Sequence, residues 1–281
     1  MSAYIEEAWV GGYISHLSAS SLRLLRVCPE AWRRRYILGE RERPGEALVL
    51  GKAVHSALEH THRQKVDSHE DLPIPEVVEY YNDLAWPEAV AEHEEGVRWD
   101  SNPDVPRNDG ARILHAYHAA VSPRIQPIAV EKKNEFLVPG VPVPIWGFVD
   151  VEEQQNVIDL KTSKSVTRKP DANWRMQGML YSGHLGKPTH FHSVSRAQAP
   201  SIATPLESEE LTVQPHPTLW PLIIKVLNDY AASIEFYFQR YGPTDTWPLS
   251  GLYSDYRGGP SCNFCGWRNV CSAWSHERNG Q

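Results

Sequence analysis

The stretch 145–162 constrains the fold of this chain more than any other. An apolar run ending in Asp150 is followed by a polar turn and by a second apolar run, 157–161. This pattern predicts two short β-strands joined by a turn. Because side chains alternate along a strand, Asp159 and Lys161 lie on one face, while the apolar residues beside them point toward a core. We therefore expect two carboxylates and one ammonium group to converge where the hairpin opens.

This grouping of charges has two chemical interpretations. Carboxylate oxygens are the ligands that Mg²⁺ and Mn²⁺ prefer, and a nearby lysine can orient a water molecule or stabilise charge that develops on a phosphate. The alternative is a surface hairpin in which Asp159 and Lys161 form an ordinary ion pair. The spacing alone leaves both interpretations open, because Asp-x-Lys is a common tripeptide.

The same residues resemble the core signature of a known family. The segment Gly147–Asp150 followed by Val157–Thr162 resembles the PD-(D/E)XK nucleases, in the form found in their RecB-like branch. The resemblance implies an α/β fold with a restriction-endonuclease-like core, in which helices flank a mixed central sheet. It also implies metal-dependent hydrolysis of phosphodiester bonds. With the motifs described below, it extends over residues 15–275.

A second motif lies on the predicted helix 47–66. His55 lies beside an apolar stripe on this helix, and a lone histidine at such a position is usually a core or surface residue whose hydrogen bonds are satisfied. The string from Gly51 to His55 nevertheless resembles the Gly-x-x-x-His motif of RecB-like nucleases. An imidazole ligand suits Mn²⁺ better than Mg²⁺. The resemblance implies that one or two divalent cations are held by His55, Asp150, Asp159 and the main-chain carbonyl of Leu160.

A third motif lies on the predicted helix 171–185. Gln177 and Tyr181 are four residues apart and therefore share a helix face. The pair resembles the Gln-x-x-x-Tyr motif that follows the lysine strand in RecB-like nucleases, where it contacts DNA or braces the lysine. The resemblance thus implies a catalytic group of Asp150, Asp159, Lys161, Gln177 and Tyr181.

Two further segments are predicted beside this group. Glu131 lies on the predicted strand 128–138, at the place where RecB-like nucleases often carry a Val-Glu pair. The resemblance implies that it lies near the metal site, and the alternative is an ordinary half-exposed strand glutamate. The polar loop after Thr162 is rich in basic residues and is placed to contact phosphates. Its candidate DNA contacts are Lys164, Arg168 and Lys169.

The four cysteines have an informative spacing. Cys28 lies far upstream of the C-terminal group Cys262, Cys265 and Cys271. Thiolates at this spacing suit an iron–sulfur cluster or Zn²⁺, and four unrelated buried thiols are the remaining alternative. The pattern resembles the [4Fe-4S] ligands of AddB-type nucleases and of the RecB-like nucleases of CRISPR adaptation. The resemblance implies a cluster that ties residue 28 to the tail.

These motifs predict one nuclease domain over residues 1–281. Segments 1–46 and 255–281 form an iron–sulfur cap, and residues 47–250 form the core, with a helical insertion at about 67–127. Within the insertion, 96–108 is predicted to be a loop because it contains two prolines. A long C-terminal helix, 219–241, is predicted to pack through a stripe of Leu222, Val226, Tyr230, Ile234 and Tyr237.

Charge and hydropathy restrict the classes of protein to which this chain can belong. The formal net charge is −7, so the surface is not coated with positive charge, although a nuclease needs basic residues only along one groove. Mean hydropathy is −0.47, no apolar run is as long as a membrane span, and the N-terminus lacks a signal-peptide core. We expect a protein of the bacterial or phage-infected host cytoplasm, with no membrane partner.

The sequence therefore predicts a metal-dependent DNA exonuclease that acts on single-stranded DNA or DNA ends in recombination, replication or repair, as in a bacterial or phage enzyme. A recombination or replication protein is a candidate partner besides DNA. The chain lacks a Gly-x-x-x-x-Gly-Lys-[Ser/Thr] loop, so it carries no helicase motor of its own. The alternative is a catalytically silent DNA- or partner-binding module held together by an iron–sulfur or zinc site.

Overall fold

The computed structural model describes residues 9–93, 96–249, 262 and 265–271. The α-helices of these residues are α1 (Ala19–Val27), α2 (Pro29–Tyr36), α3 (Glu46–Ser68), α4 (Ile74–Tyr80), α5 (Trp86–Ala91), α6 (Asp104–Ala120), α7 (Ala172–Leu185) and α8 (Trp220–Tyr241). The strands are β1 (Leu17–Ser18), β2 (Ala129–Phe136), β3 (Ile145–Glu152), β4 (Val157–Ser163), β5 (Thr189–Ser195), β6 (Ile202–Ala203) and β7 (Thr212–Val213). A π-helical turn, Tyr81–Ala85, connects α4 to α5. Short 3₁₀ turns occupy Trp9–Gly12, Ser122–Arg124, Glu209–Leu211 and Arg268–Val270.

The chain divides into two compact units. The first comprises Met1–Glu42, Glu135–Gly147 and Thr218–Gln281, and the second comprises Arg43–Asn134 and Phe148–Pro217. The predicted cap segments fall almost entirely within the first unit, although much of 255–281 lies outside the described residues. No helix in the described part of the chain is both long enough and apolar enough to cross a membrane.

The second unit is α/β, with helices beside a mixed sheet, as predicted. Strands β4 and β5 run parallel along their whole length, from the pair Val157–Thr189 to the pair Ser163–Ser195. Strand β3 is antiparallel to β4, and the short strands β6 and β7 are antiparallel to β5. Strand β2 pairs with β3 on the other side.

Helix α3 supplies the main apolar face of the second unit. Apolar residues recur on it at helical spacing, and they are almost completely buried against α6 and the sheet. Burying each large aliphatic side chain of this kind contributes about 1.5–3 kcal/mol. The helix is thereby fixed over β4, with His55 on its flank. The buried residues of α3 are Val49, Leu50, Ala53, Val54, Ala57 and Leu58.

Helix α6 begins earlier than its prolines suggest. We expected a loop over 96–108, but the helix already starts at Asp104. Pro106 lies in its first turn, where a missing N–H breaks no intrahelical hydrogen bond. The main-chain N–H of Asp104 is instead satisfied by the side-chain oxygen of Asn102 at 2.9 Å. The predicted insertion is thus helical over most of its length.

Helix α7 begins and ends as its sequence indicates. The carboxylate of Asp171 caps the first turn, because it accepts hydrogen bonds from the N–H groups of Asn173 and Trp174 at 2.8 and 2.9 Å. Gly186 ends the helix with a left-handed φ of 66°. These two ends fix the length of the helix that carries Gln177 and Tyr181.

The first unit contains the N-terminal helices and α8. Ser18 caps α1 through a reciprocal pair of hydrogen bonds with Ser21. In α2, the buried carboxylate of Glu30 accepts two hydrogen bonds from Arg33 at 2.7 Å, and one from the main chain of Trp247 at 2.9 Å. This charged pair ties α2 to the segment that follows α8.

The buried face of α8 differs from the predicted stripe. Leu222 and Val226 are 53% and 39% exposed, respectively. Because residues 222–227 are nearly all apolar, two stripes one residue apart both fit the helical period. Packing selects the other stripe, which consists of Ile223, Leu227, Ala231 and Ile234.

Candidate active site

Strands β3 and β4 separate in the second unit and leave a gap that we call the fork. It is bounded by residues 148–150 of β3 and 159–161 of β4. The ladder between the strands stops at the pair Val151–Ile158. Beyond it, the N–H of Leu160 donates a hydrogen bond of 2.6 Å to Oδ2 of Asp150 rather than to the main chain of β3. A carboxylate therefore occupies the place of a ladder carbonyl, and the fork is held open with its acidic groups inside.

One side of the fork holds a group of three metal-ligating side chains. Atoms of His55, Glu131 and Asp150 all lie within 4.8 Å of one another, and no other such group occurs among the described residues. Nδ1 of His55 lies 3.4 Å from Oδ1 of Asp150. The three come from α3, β2 and β3, so this arrangement depends on contacts distant in sequence. The structure thus brings Glu131 into the group, whereas Asp159 lies outside it.

Asp159 belongs to a second cluster in the fork. Nζ of Lys161 lies 2.6 Å from Oδ2 of Asp159, and Nε2 of Gln177 donates a hydrogen bond of 2.7 Å to Oδ1. Lys161 also donates to Oε1 of Gln177 at 2.9 Å. These three contacts form a closed triangle in which every side chain is held by the other two. The orientation of the Gln177 amide follows, since its oxygen faces the ammonium group and its nitrogen faces the carboxylate.

Tyr181 connects this triangle to β3. Its hydroxyl accepts a hydrogen bond from Nε2 of Gln177 at 3.1 Å and donates one of 2.7 Å to the main-chain oxygen of Phe148. The ring of Tyr181 is only 4% exposed. Helix α7 therefore holds both sides of the fork, β4 through Gln177 and β3 through Tyr181.

The acidic groups of the fork perturb one another's pKa values. Burial, and then the charge of Asp150, raises the pKa of Glu131 to about 7. Burial likewise raises the pKa of Asp159 to about 6, although the Lys161 ammonium opposes this. Burial alone would raise the pKa of Asp150, but His55 and Lys161 bring it below its usual value. Asp150 is thus the anionic centre of the fork, and the other two carboxyls ionise less readily around it.

His55 is the cationic counterpart of Asp150. Burial alone would lower the pKa of this imidazole, but the adjacent Asp150 carboxylate raises it to about 9. The attraction that favours a proton on His55 favours a divalent cation in the same way. Cation binding then requires that the imidazole gives up its proton.

Glu131 has an unusual backbone conformation. Its φ is 47°, in the left-handed region, although it lies within strand β2. For a residue with a β-carbon this conformation costs about 1–3 kcal/mol, and such strain is concentrated at functional sites. The residue with this strained backbone also places its carboxylate beside that of Asp150, although the two groups carry the same charge. Both features distinguish Glu131 from an ordinary half-exposed strand residue and make it a candidate member of the site.

A small cavity lies behind the group of three. Its volume is about 20 Å³, room for one water molecule, and His55, Glu131 and Asp150 form part of its lining. The other polar residues of the lining are Glu59, His62 and Tyr117, which no sequence motif indicated. Their spacing of four and seven residues from His55 along α3 was the available signal for Glu59 and His62. Burial lowers the pKa of His62 to about 4, so this imidazole is neutral.

The predicted basic loop follows β4 directly. Lys164, Arg168 and Lys169 are all exposed there. Lys169 lies 3.3 Å from Glu210, and Ser208 donates a hydrogen bond of 2.7 Å to the main-chain oxygen of Arg168. The loop is thereby tied to the segment before β7, and its cationic side chains extend into solvent on the second unit.

The four cysteines all lie in the first unit, partly buried and without disulfides. The N–H of Cys265 donates a hydrogen bond of 3.2 Å to the main-chain oxygen of Cys262. Burial raises the pKa of Cys265 to about 11, and the nearby thiols of Cys28 and Cys262 add to the effect. No three of these sulfur atoms, all of them in described residues, lie within 4.8 Å of one another.

A solved structure resembles this chain in fold. A crystal structure of a "Putative exonuclease" from Eubacterium rectale superposes with a TM-score of 0.53 at 11% identity, covering 99% of this chain and 93% of that one. A structure of SSO0001 covers 80% of this chain and 94% of that one at 15% identity, but its TM-score of 0.37 is too low to bear on the fold. Among curated proteins no sequence matches.

A family comparison identifies the superfamily. The family model described as the PD-(D/E)XK nuclease superfamily matches residues 16–272, a span that includes every residue of the fork and all four cysteines. The mixed sheet, the carboxylates at the fork and the lysine of β4 agree with that match. This chain therefore belongs to the PD-(D/E)XK nuclease superfamily.

Proposed function

We propose that this chain is a divalent-metal-dependent deoxyribonuclease of the RecB-like branch that degrades DNA exonucleolytically, on single strands or from ends. The observation that carries the proposal is the pairing, in one fork, of the His55–Glu131–Asp150 group with the Asp159–Lys161–Gln177 triangle. A cation site beside a fixed ammonium group is the arrangement that phosphodiester hydrolysis needs.

The donor atoms of the fork fit Mg²⁺ or Mn²⁺. They comprise hard carboxylate oxygens and one imidazole nitrogen, and the imidazole favours Mn²⁺. Burial, and then the charge of Asp150, raises the pKa of Glu131, and a divalent cation would neutralise the negative charge that the two carboxylates share. In our proposal the cation ligands are His55, Asp150, Asp159 and the main-chain carbonyl of Leu160, with Glu131 added by its position in the structure. When bound, the cation supplies positive charge beside the phosphodiester and makes its phosphorus more electrophilic.

The protein's own residues supply the remaining functions. The Lys161 ammonium donates hydrogen bonds to the attacking water or to the phosphate oxygens on which negative charge increases. Gln177 prevents this ammonium from turning away, since Lys161 is bonded to it and to Asp159 at the same time. Tyr181 keeps β3 at a fixed distance from α7. The lysine is thus positioned before the substrate arrives, and no free energy is spent on ordering it later.

DNA is the proposed substrate and partner. The exposed cations Lys164, Arg168 and Lys169 follow the lysine strand and would contact phosphates next to the fork. The E. rectale protein is described as a "Putative exonuclease", and we extend that mode of action to this chain as part of the proposal. Recombination, replication or DNA repair is the process in which such an enzyme would act, alongside a recombination or replication protein.

A nuclease assay with matched variants tests the proposal. Single-stranded DNA labelled separately at each end is incubated with the protein and Mn²⁺, Mg²⁺ or EDTA. We expect metal-dependent release of label from one end first, and a loss of about 100-fold or more in Asp159→Asn and in Lys161→Ala. Asp67→Asn, which changes an exposed carboxylate elsewhere on the second unit, is the control and keeps full activity.

A different outcome would favour the alternative function. If the folded protein binds single-stranded DNA but degrades it with neither metal, the chain is a catalytically silent DNA-binding module. Equal activity in all three variants would mean that hydrolysis is due to a contaminating nuclease.

We further propose that Cys28, Cys262, Cys265 and Cys271 hold a [4Fe-4S] cluster. The donor set fits, because four thiolates are the usual ligands of such a cluster. Zn²⁺ is the alternative occupant, because four thiolates also suit a tetrahedral zinc site. The cluster would tie both ends of the first unit together and stabilise its fold.

Metal analysis distinguishes a [4Fe-4S] cluster from a zinc ion at these cysteines. Protein purified without oxygen should contain about four iron and about four acid-labile sulfide per chain, and it should be brown. Cys265→Ser should lose most of the iron and unfold at a lower temperature. One zinc per chain with no iron, in a colourless protein, would overturn the cluster proposal without affecting the nuclease proposal.

A further inference from the structure

Phe148 lies at the mouth of the fork with an exposed ring. Phe148 is 51% exposed, whereas Val149 and Val151 of the same strand are buried. Because side chains alternate along β3, Phe148 lies on the same side of the strand as Asp150, about 7 Å away along it. An aromatic ring therefore lies two residues along β3 from Asp150, the central carboxylate of the site.

The position of Phe148 is fixed by the same contacts that hold the lysine. Tyr181 donates its 2.7 Å hydrogen bond to the main-chain oxygen of Phe148, and Gln177 donates to Tyr181. Gln177 in turn holds Lys161 at 2.9 Å. The ring is thus carried by backbone that cannot move without disturbing the triangle, so it is positioned in advance for whatever binds there.

An exposed apolar side chain is ordinary by itself, and its meaning here comes from its surroundings. The ligand that crosses this fork is a DNA strand, whose phosphate goes to the charged groups and whose base is a flat apolar surface. In a duplex that surface is covered by neighbouring bases, whereas a single strand leaves it free to stack on an aromatic side chain. Phe148 offers an aromatic surface of this kind, and its distance from Asp150 is about that between neighbouring nucleotides of a strand.

We propose that the ring of Phe148 is a stacking platform for an unpaired base of the substrate, next to the phosphodiester in the fork. This inference rests on the proposed nuclease function and deepens it, because it makes unpaired nucleotides the substrate class. Duplex DNA then has to fray before its terminal phosphodiester reaches the fork. Phe148 adds affinity and position, and it takes no part in the bond-breaking step.

Abasic DNA provides a direct test. The steady-state kcat/KM is measured with Mn²⁺ on a single strand and on a strand of the same length built from abasic nucleotides. The comparison includes wild type, Phe148→Ala, Phe148→Trp and the control Leu206→Ala, whose side chain is 74% exposed in the same unit. Circular dichroism and thermal unfolding establish that each variant is folded.

The expected pattern is specific to stacking. Wild type, Phe148→Trp and Leu206→Ala lose about 5- to 100-fold on the abasic strand, the range measured for removal of one stacking contact. Phe148→Ala is slow on the natural strand by a similar factor and loses little more on the abasic one. Equal sensitivity of Phe148→Ala and wild type to base removal would overturn the inference, even if activity falls. Absence of hydrolysis by the wild type would overturn the nuclease proposal itself, which is a separate result.

Discussion

Oε1 of Gln177 accepts a hydrogen bond from Nζ of Lys161 at 2.9 Å. The amide nitrogen of the same side chain donates to Asp159 at 2.7 Å. An amide is suited to this position because it presents an acceptor and a donor on the same planar group. A carboxylate would offer no donor to Asp159, and an ammonium group would offer no acceptor to Lys161. The chemistry of the fork therefore specifies glutamine at position 177.

Substitution of Gln177 tests this relationship. We expect Gln177→Ala to lower kcat by about 10- to 100-fold with little change in KM, since it frees Lys161 without removing any charge. Gln177→Glu should be more harmful, because it places a second negative charge against Asp159. Nuclease assays with Mn²⁺ measure both variants, and Gln239→Ala, an exposed glutamine of α8, is the control. Unchanged kcat in Gln177→Ala would show that Lys161 needs no partner on α7.

Glu131 is expected to lower the stability of the metal-free protein and to strengthen metal binding. Its pKa is raised to about 7 by burial and by Asp150, so its carboxylate is unfavourable in the metal-free protein. We expect Glu131→Gln to stabilise the protein in EDTA by about 1 kcal/mol and to reduce the stabilisation given by Mn²⁺. Thermal unfolding in EDTA and across a Mn²⁺ titration measures both effects. If Glu131→Gln responds to Mn²⁺ like the wild type, Glu131 is not a ligand.

Much of this architecture follows from local sequence patterns. The predicted hairpin corresponds to β3 and β4, because two apolar runs joined by a polar turn are a local signal. The alternation of side chains along a strand then places Asp159 and Lys161 on one face. Helices α3 and α7 also match their predictions, since apolar period and the Asp171 cap are local signals. The residues that line the fork were therefore identifiable from sequence motifs.

The division of those residues between two clusters was not predictable. Glu131, whose left-handed φ is indicated by no neighbouring residue, lies with His55 and Asp150. Asp159 lies outside this group and accepts a hydrogen bond from Gln177, a residue on a helix that follows later in the chain. Both results depend on tertiary contacts. The same holds for α8, where Ile223 rather than Leu222 is buried.

Gly178 allows α7 to approach the sheet closely. A β-carbon at this position would lie 2.9 Å from Cγ2 of Val213 and 3.0 Å from Cε2 of Phe191. We expect Gly178→Ala to destabilise the protein by about 1–3 kcal/mol, since overpacking outweighs the gain of about 1 kcal/mol in helix propensity. Urea unfolding measures the change. Adding Val213→Ala should recover part of the loss, and a strictly additive double variant would contradict this steric explanation.

Glu46 links the stability of the second unit to pH. This carboxylate is only 5% exposed, and it accepts hydrogen bonds from Ser101 at 2.9 Å and from Arg196 at 3.0 Å. Burial alone would raise the pKa of Glu46, but these partners bring it below its ordinary value of 4.5. The unfolded chain therefore binds the proton more readily, and stability falls as the pH falls. The contribution of Glu46 is fully present above pH 4.5 and is lost as the pH drops through the lowered pKa of the folded state.

The variant Glu46→Gln tests this linkage. We expect a loss of about 2 kcal/mol at pH 7, because a charged acceptor with several donors is replaced by an amide that cannot satisfy them. The difference from wild type should shrink as the pH falls through the lowered pKa of the folded protein, below which the wild-type carboxyl is also neutral. Urea midpoints measured from pH 7 downward follow this change, with Glu210→Gln as an exposed control. A difference that stays constant from neutral to acidic pH would show that Glu46 acts through packing and not through its charge.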